Sequence, residues 1–235
     1  MLIEFDHRES NSTFVERVWR SRSRHGGSFL SMAESSIELV FTRLPGFTAA
    51  TLRGPVSRGQ LVECPADGEW LAIRFRLGAF FPLYPTARLI DHQSVDLPIL
   101  AGGRFLLAGQ SWEIPRYTDA EQLVARLAQA GLITLSDATD AAIGRDHAQM
   151  SRRSVQRHFR TVTGMTFSAY RQIERARHAT TLLTNGSSIL DAAFDAGYYD
   201  QAHLTRSLRQ LIGATPAQLV RERPQLSFSY NRDGA

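Results

Sequence analysis

Residues 151–166 read SRRSVQRHFRTVTGMT, and residues 200–215 read DQAHLTRSLRQLIGAT. At a constant offset of 49 residues the two stretches match: Ser151 with Asp200, Val155 with Leu204, Arg157 with Arg206, Phe159 with Leu208, Arg160 with Arg209, Gly164 with Gly213 and Thr166 with Thr215. Each copy opens on a residue that can cap a helix N-terminus. Apolar residues follow four and eight positions on, with an Arg between them, and a Gly closes the helix. One helix type is used twice, so its polar face is where the function should lie.

The segment between the copies supports this. Phe167–Thr184 carries Tyr170, Ile173, Ala176, Ala179 and Leu183 at helical spacing, and Asn185-Gly186 supplies a stop. Ser187 or Ser188 can then cap a short helix bearing Ile189, Ala192, Ala193 and Ala196, before Gly197 and the cap Asp200. A short helix, a tight glycine turn and a second capped helix make a helix-turn-helix. The second helix of such a unit enters the DNA major groove. In the second copy Leu204, Leu208 and Leu211 form the buried stripe, leaving Gln201, Ala202, Thr205, Arg206 and Arg209 outward. In the first copy Val155, Phe159 and Val162 are the stripe, and Arg152, Arg153, Gln156 and Arg157 are outward. Its support helix is less clear, because Ala141-Ala142-Ile143-Gly144 is short and interrupted. The connecting helix of about 18 residues spans roughly 27 Å, which with its end offsets can hold two readers in major grooves ~34 Å apart.

Arg157 and Arg206 taken singly would read as solvated helix charges. Their recurrence at matched positions of two predicted readers assigns them to DNA. Arg reads guanine and Gln reads adenine, each worth about 1–3 kcal/mol of discrimination. Arg160 and Arg209 fit phosphate contacts or helix pairs equally well. Asp200 is a cap rather than a catalytic acid, and Arg175 reads as a structural pair within the linker helix. The first copy is the more basic, so it is expected to supply more charge-driven affinity and the second a better-fixed register.

Working towards the N-terminus, the texture turns β. Ile37–Phe41, Gln60–Cys64 and Trp70–Phe75 are rich in β-branched and aromatic residues, and Gly26-Gly27, Pro45-Gly46, Gly54-Pro55 and Gly102-Gly103 separate such runs. Many short strands suggest a barrel or sandwich. Near Pro115–Thr118 the pattern becomes helical, with Leu123, Val124 and Leu127 on one face, which places a domain boundary at 112–118. Trp19, Phe41, Trp70, Phe75, Phe80, Phe81 and Tyr84 are candidates for a pocket or for core packing.

Composition narrows the classes. All 27 basic residues are Arg, so there is no Walker A lysine, no Schiff-base lysine and no S-x-x-K pair. The single Cys64 excludes an intrachain disulfide and a multi-cysteine zinc site, and reads as an inert thiol. Residues 1–130 hold 14 Arg and 14 acids, while residues 131–235 hold 13 Arg and 9 acids, so the net charge of +4 sits in the second part. No apolar run reaches the ~18–20 residues of a membrane span, and the N-terminus lacks a signal-peptide pattern. A cytoplasmic protein is expected.

The run from Met150 to Val220 resembles the DNA-binding domain of AraC/XylS-type transcriptional regulators. The resemblance is carried by Ser151–Phe159, Gly164, Tyr170, Arg175, Ala179, Leu183, Gly197-Tyr198, Asp200–Arg206 and Gly213-x-Thr215-Pro216. Leu204 and Leu208 stand where that family often has aromatic residues. It implies two helix-turn-helix units joined by a helix, usually after an effector-binding or dimerising domain. By motif position it places DNA contacts on Arg153, Gln156 and Arg157 in the first unit, and on Gln201, Ala202, Thr205 and Arg206 in the second. The expected class is α+β: a β-rich barrel or cupin-like domain over residues 1–115, an all-α double helix-turn-helix domain over 119–221, and a flexible tail over 222–235. No H-x-H cupin spacing is present, so no metal and no cofactor are expected, and no catalytic residue. Double-stranded DNA is the expected partner, with room for a small-molecule effector, RNA polymerase and a homodimer. The alternative is an effector-independent regulator or interaction protein whose first domain only dimerises or binds another protein. An enzyme carrying a borrowed DNA-binding module would need a reactive cysteine cluster, which Cys64 alone does not supply.

Overall fold

The computed structural model describes residues 3–91, 94–136, 139 and 152–226. Its first part is built of short strands. The main sheet has the order β1-β2-β7-β4-β5-β9, from Ile3–Glu9, Val15–Ser23, Glu69–Phe75, Glu38–Leu44, Phe47–Arg53 and Val95–Leu97. β3 (Gly27–Ser31) pairs with β6 (Gln60–Cys64), so β2·β7, β3·β6 and β4·β5 nest as antiparallel pairs. Smaller ladders join β10 (Ile99–Leu100), β11 (Arg104–Leu107) and β12 (Gln110–Glu113), and join β8 (Ala79–Phe80) to β13 (Thr134–Leu135).

The pleat of the main sheet explains where its core sits. Side chains alternate between faces, so cross-strand partners share a face. Leu39 stands opposite Ile73 and Leu52, and all three enter the larger core with Phe75 and Phe105. Val40 and Trp19 both stand opposite Ala72, and these three pack on the other face with Phe5 and Trp70. The β3–β6 ribbon covers that second face: Phe29 and Val62 share a cavity with Trp19. The centre of the sheet is therefore buried on both sides, as Leu39, Val40, Phe41, Ala72 and Ile73 show.

Helix α1 (Ala120–Gln129) does not belong where the sequence placed it. Ala120, Leu123, Val124 and Leu127 are buried in the same core as Leu39, Phe41 and Phe105, and Ile133 follows them. The amphipathic period identified the helix correctly but carried no information about which surface its stripe meets. The change from sheet core to helical core falls after residue 136, not at 115–119.

The second part contains α2 (Arg152–Thr163), α3 (Phe167–Thr184), α4 (Ile189–Asp195), α5 (Gln201–Leu211) and α6 (Pro216–Arg221). Thr166, Ser188, Asp200 and Thr215 cap the last four, each side chain accepting from a backbone N–H three residues on. Thr215 and Gln218 complete a reciprocal capping box. The Ser151 cap and the Ala141–Gly144 support helix lie outside the described residues. Among the described residues, no helix is long and apolar enough to cross a membrane.

The two parts share a core. Leu30, Met32 and Ala33 pack with Ile173, Leu183, Leu204, Leu208 and Ile212. Residues 222–226, expected to be frayed, return to the sheet: Leu30 N donates to Gln225 O at 2.9 Å and Leu30 forms a parallel bridge with Leu226. Loop N–H groups also satisfy the orphan carbonyls that end α5, Ala33 N to Leu211 O at 2.7 Å and Gly59 N to Gln210 O at 2.9 Å. Gly59 permits this approach, because a Cβ there would stand 2.2 Å from the Ile212 carbonyl carbon. Beside them, one Glu34 oxygen meets Arg177 of α3 at 2.6 Å and Arg74 of β7 at 2.7 Å.

Candidate nucleic-acid interface

The second unit is built as its sequence suggests. Ser188 starts α4, whose Ala192 and Ala193 let it pack closely on its neighbours. Gly197, at φ 72°, makes the turn that a side chain would disfavour. Asp200 Oδ1 accepts from His203 N and starts α5, which buries Leu204, Leu208 and Leu211. Tyr198 locks the turn. Its hydroxyl lies 2.9 Å from Ser207 Oγ, its ring meets His203 edge-on at 5.1 Å, and Arg175 of α3 lies over it at 5.5 Å. Burial pushes the Tyr198 phenol above its ordinary value, so it stays protonated and able to donate. Arg175, read from sequence as a pair within the linker helix, instead reaches across to this turn and donates to Gly197 O at 3.4 Å.

The first unit rests on different supports. Val155, Phe159 and Val162 of α2 are buried, and Phe159 meets Phe167 and Tyr170 of α3 at 5.4 and 5.8 Å. Its other side leans on the β-rich part: Ser136 Oγ lies 2.9 Å from His158 Nε2, and α2 packs on the 3-10 turn Thr86–Arg88 and on β8. Part of the support that the sequence could not find for this helix therefore comes from the other half of the chain.

Between α2 and α5 runs a groove of about 1230 Å³ with α3 as its floor. Arg153, Arg157 and Arg160 line it from α2, Arg171 and Arg175 from α3, and Arg206 from α5. Among the described residues no Asp or Glu lines it, and none of the six guanidiniums forms an ion pair. Six like charges can stand this close because most are exposed and screened by water and salt. The result is a field that seeks an extended polyanion.

The sequence-predicted contacts divide into two sets. Arg153, Gln156, Arg157, Arg160 and Arg206 line the groove. Gln201, Ala202 and Arg209 are exposed elsewhere on α5, and the Thr205 hydroxyl donates back to Gln201 O. The Arg152 side chain lies outside the described residues. Sequence reasoning missed the α3 contribution of Ser168, Arg171 and Gln172. Their signal was present as a polar stripe at three- and four-residue spacing, on the side of α3 away from the buried Ile173 and Ala176. Cys64 is buried and burial pushes its thiol up, which leaves it unreactive. Among the described residues no cluster of His, Cys, Asp and Glu could hold a metal.

Comparison with known proteins places this region. Residues 146–222 match the family model of a helix-turn-helix domain. Two curated relatives are 41% identical over 61 residues: the virulence regulon transcriptional activator VirF of Yersinia enterocolitica and the thermoregulatory protein LcrF of Yersinia pestis. The match covers 26% of this chain and 22% of each relative, so the chain spans about a fifth of the length of the curated relatives it matches. Among solved structures, ToxT from Vibrio cholerae O395 aligns over 93% of this chain and 97% of its own, at 9% identity and a TM-score of 0.38. An apo ToxT variant from strain SCE256 aligns over 91% and 98%, at 10% identity and the same TM-score. Those TM-scores are too low to bear on fold or site, which stand on the geometry above. The repeated helices, the glycine turn and the matched segment together make residues 146–222 of this chain similar to a helix-turn-helix domain.

Proposed function

We propose that the chain is a sequence-specific, DNA-binding transcription regulator of the one-component type. The observation that carries this reading is the groove between α2 and α5, lined by six Arg and, among the described residues, by no acid. Arg153, Gln156, Arg157 and Arg206 are the base-reading candidates on the groove side. Gln201, Ala202 and Thr205 complete the outward face of α5, with Arg160 and Arg209 on phosphates. Basic contacts to phosphate give affinity that falls with salt, and the outward helix residues give sequence choice.

The β-rich part supports an effector-responsive regulator over one whose first domain only dimerises. It holds a cavity of about 350 Å³ lined by Trp19, Phe29, Glu38 and Arg74, and another of about 920 Å³ lined by Phe41, Trp70, Leu71 and Tyr117. Both fall within the usual range for small-molecule sites, roughly 300–1,000 Å³. The smaller one shares Ala33, Glu34 and Arg74 with the junction to the helical part, so occupancy there would bear on how α3 and α5 are held. The seat of action in this reading is the bacterial cytoplasm, on DNA.

The test is selection of duplexes from a random pool by the full chain, followed by titration of the winning duplex and a scrambled one. Changing Arg157 and Arg206 together to Ala should remove most of the preference, at about 1–3 kcal/mol per lost bidentate contact. A double variant that keeps wild-type discrimination would refute the reading.

A further inference from the structure

Helix α3 has two working faces. Ile173, Ala176, Arg177 and Thr180 turn inward, with Arg177 on the Glu34 carboxylate of the β-rich part. Ser168, Arg171, Gln172 and Arg175 form the floor of the groove between the two recognition helices. Arg175, at the α5 side of that floor, is engaged with the Tyr198 ring and Gly197 O. Thr166 and Phe167, at the α2 side, are the cap and first turn of α3, with the Phe167 ring against Phe159. Arg171 lies between them, exposed and without an ion pair among the described residues.

We infer that Arg171 enters the DNA minor groove between the two read segments, making affinity depend on the A·T content of a spacer that no recognition helix touches. The inference rests on the DNA-binding reading above. Two helices in successive major grooves on one face of a duplex stand about 34 Å apart. A linker of 18 residues, roughly 27 Å long, spans most of that distance. Half a turn from each major groove, the same face of the duplex presents the minor groove. The floor of the protein groove must therefore oppose it, and the floor's one uncommitted cation is Arg171. Among the described residues no acid lines the site to compete for that guanidinium.

The chemistry favours A·T pairs. A-tracts narrow the minor groove and deepen its negative potential, which draws an inserted Arg without any base-specific hydrogen bond. The exocyclic amine of guanine obstructs the same floor. Lys is a poorer substitute, because its compact ammonium is more strongly hydrated and must shed more water to enter. A contact from Arg171 to the flanking phosphates alone would give affinity with no dependence on spacer sequence.

The experiment takes the duplex selected by the full chain and replaces its central spacer with A·T-only or G·C-only sequence of equal length. Affinities are measured by fluorescence anisotropy at fixed salt. The wild type should bind the A·T duplex roughly fivefold to tenfold more tightly. Arg171→Ala should bring the two duplexes within about twofold, chiefly by weakening the A·T one, while far-UV circular dichroism stays unchanged. Arg171→Lys should keep wild-type affinity on the G·C duplex and recover only part of the preference. Because A·T and G·C spacers also differ in stiffness, the loss of preference in the Ala variant is the deciding readout. Equal weakening on both duplexes, or a preference unchanged by Arg171→Ala, overturns the inference. So does a wild type that selects a defined duplex but ignores its spacer. A wild type that selects no sequence overturns this inference and the DNA-binding reading together.

Discussion

Replacing Glu34 by Gln should uncouple the two halves of the molecule. The carboxylate sits at their junction with one oxygen 2.6 Å from Arg177 of α3 and 2.7 Å from Arg74 of β7. The other oxygen accepts from the backbone N–H groups of Ser35 and Ser36 at 2.9 and 3.2 Å. Burial alone would push this carboxyl up. The two guanidiniums and the backbone donors override that and hold it at about 2, against an ordinary 4.5. A difference of that size corresponds to roughly 3 kcal/mol of stability at neutral pH. Because the folded-state value is depressed, the contribution is complete above pH 4.5 and is lost as pH falls towards 2. Removing one partner from a buried ion pair costs about 3–5 kcal/mol, and a Gln that still accepts hydrogen bonds should fall at the lower end. The assay is built into the sequence, because Trp19, Trp70 and Trp112 all lie in the β-rich part. Tryptophan fluorescence therefore reports that part, and circular dichroism at 222 nm mainly reports the helices. Urea unfolding of the wild type should give coincident transitions by the two probes. Glu34→Gln should separate them, with the helical transition earlier by about 3 kcal/mol, and should flatten the acid limb of stability between pH 4.5 and 2. Coincident transitions, with a loss below about 1 kcal/mol, would refute the assignment of Glu34 as the coupling group.

Two further substitutions probe the same architecture. Gly59→Ala puts a Cβ 2.2 Å from the Ile212 carbonyl carbon and 2.4 Å from Gly213 N, where backbone meets backbone. It should cost about 3 kcal/mol, and Gly59→Ala must split the two unfolding transitions as Glu34→Gln does; a neutral result would mean the contact is not made in solution. Asp200→Ala removes the side-chain acceptor of His203 N and should cost about 1 kcal/mol in denaturant titrations, with Asp200→Asn close to wild type. An Asn variant as damaged as the Ala one would show that the charge, not the cap, matters there.

Much of the helical part was legible because its determinants are local. The linker helix ends, Phe167 and Thr184, follow from a cap and an Asn-Gly stop, and the Leu204–Leu208–Leu211 stripe follows from helical period. The same locality marked Arg157 and Arg206 as outward by repetition and Arg153 by helical period, and all three line the groove. What the sequence hid were choices of partner. The stripe Leu123–Val124–Leu127 looks the same whether it meets helices or sheets, and only packing shows that it completes the β core. Residues 222–226 are mostly polar, yet a backbone hydrogen bond from Leu30 N to Gln225 O and the burial of Leu226 beside Leu30 bring them back to the sheet.

By itself, then, the sequence determined the two repeated helices, the Asp200 cap of the second, the linker between them, the β-rich first part and the outward placement of Arg153, Arg157 and Arg206. Each of these depends on residues within a turn or a strand of one another. Only the tertiary structure decided that six Arg from three helices converge on one groove, and that Arg171 of the linker lies on its floor. It also decided that Glu34, 143 residues from Arg177, ties that linker to the sheet. Convergence of this kind is set by how buried stripes choose surfaces to cover, and that choice is made by packing and by charge burial across the whole chain.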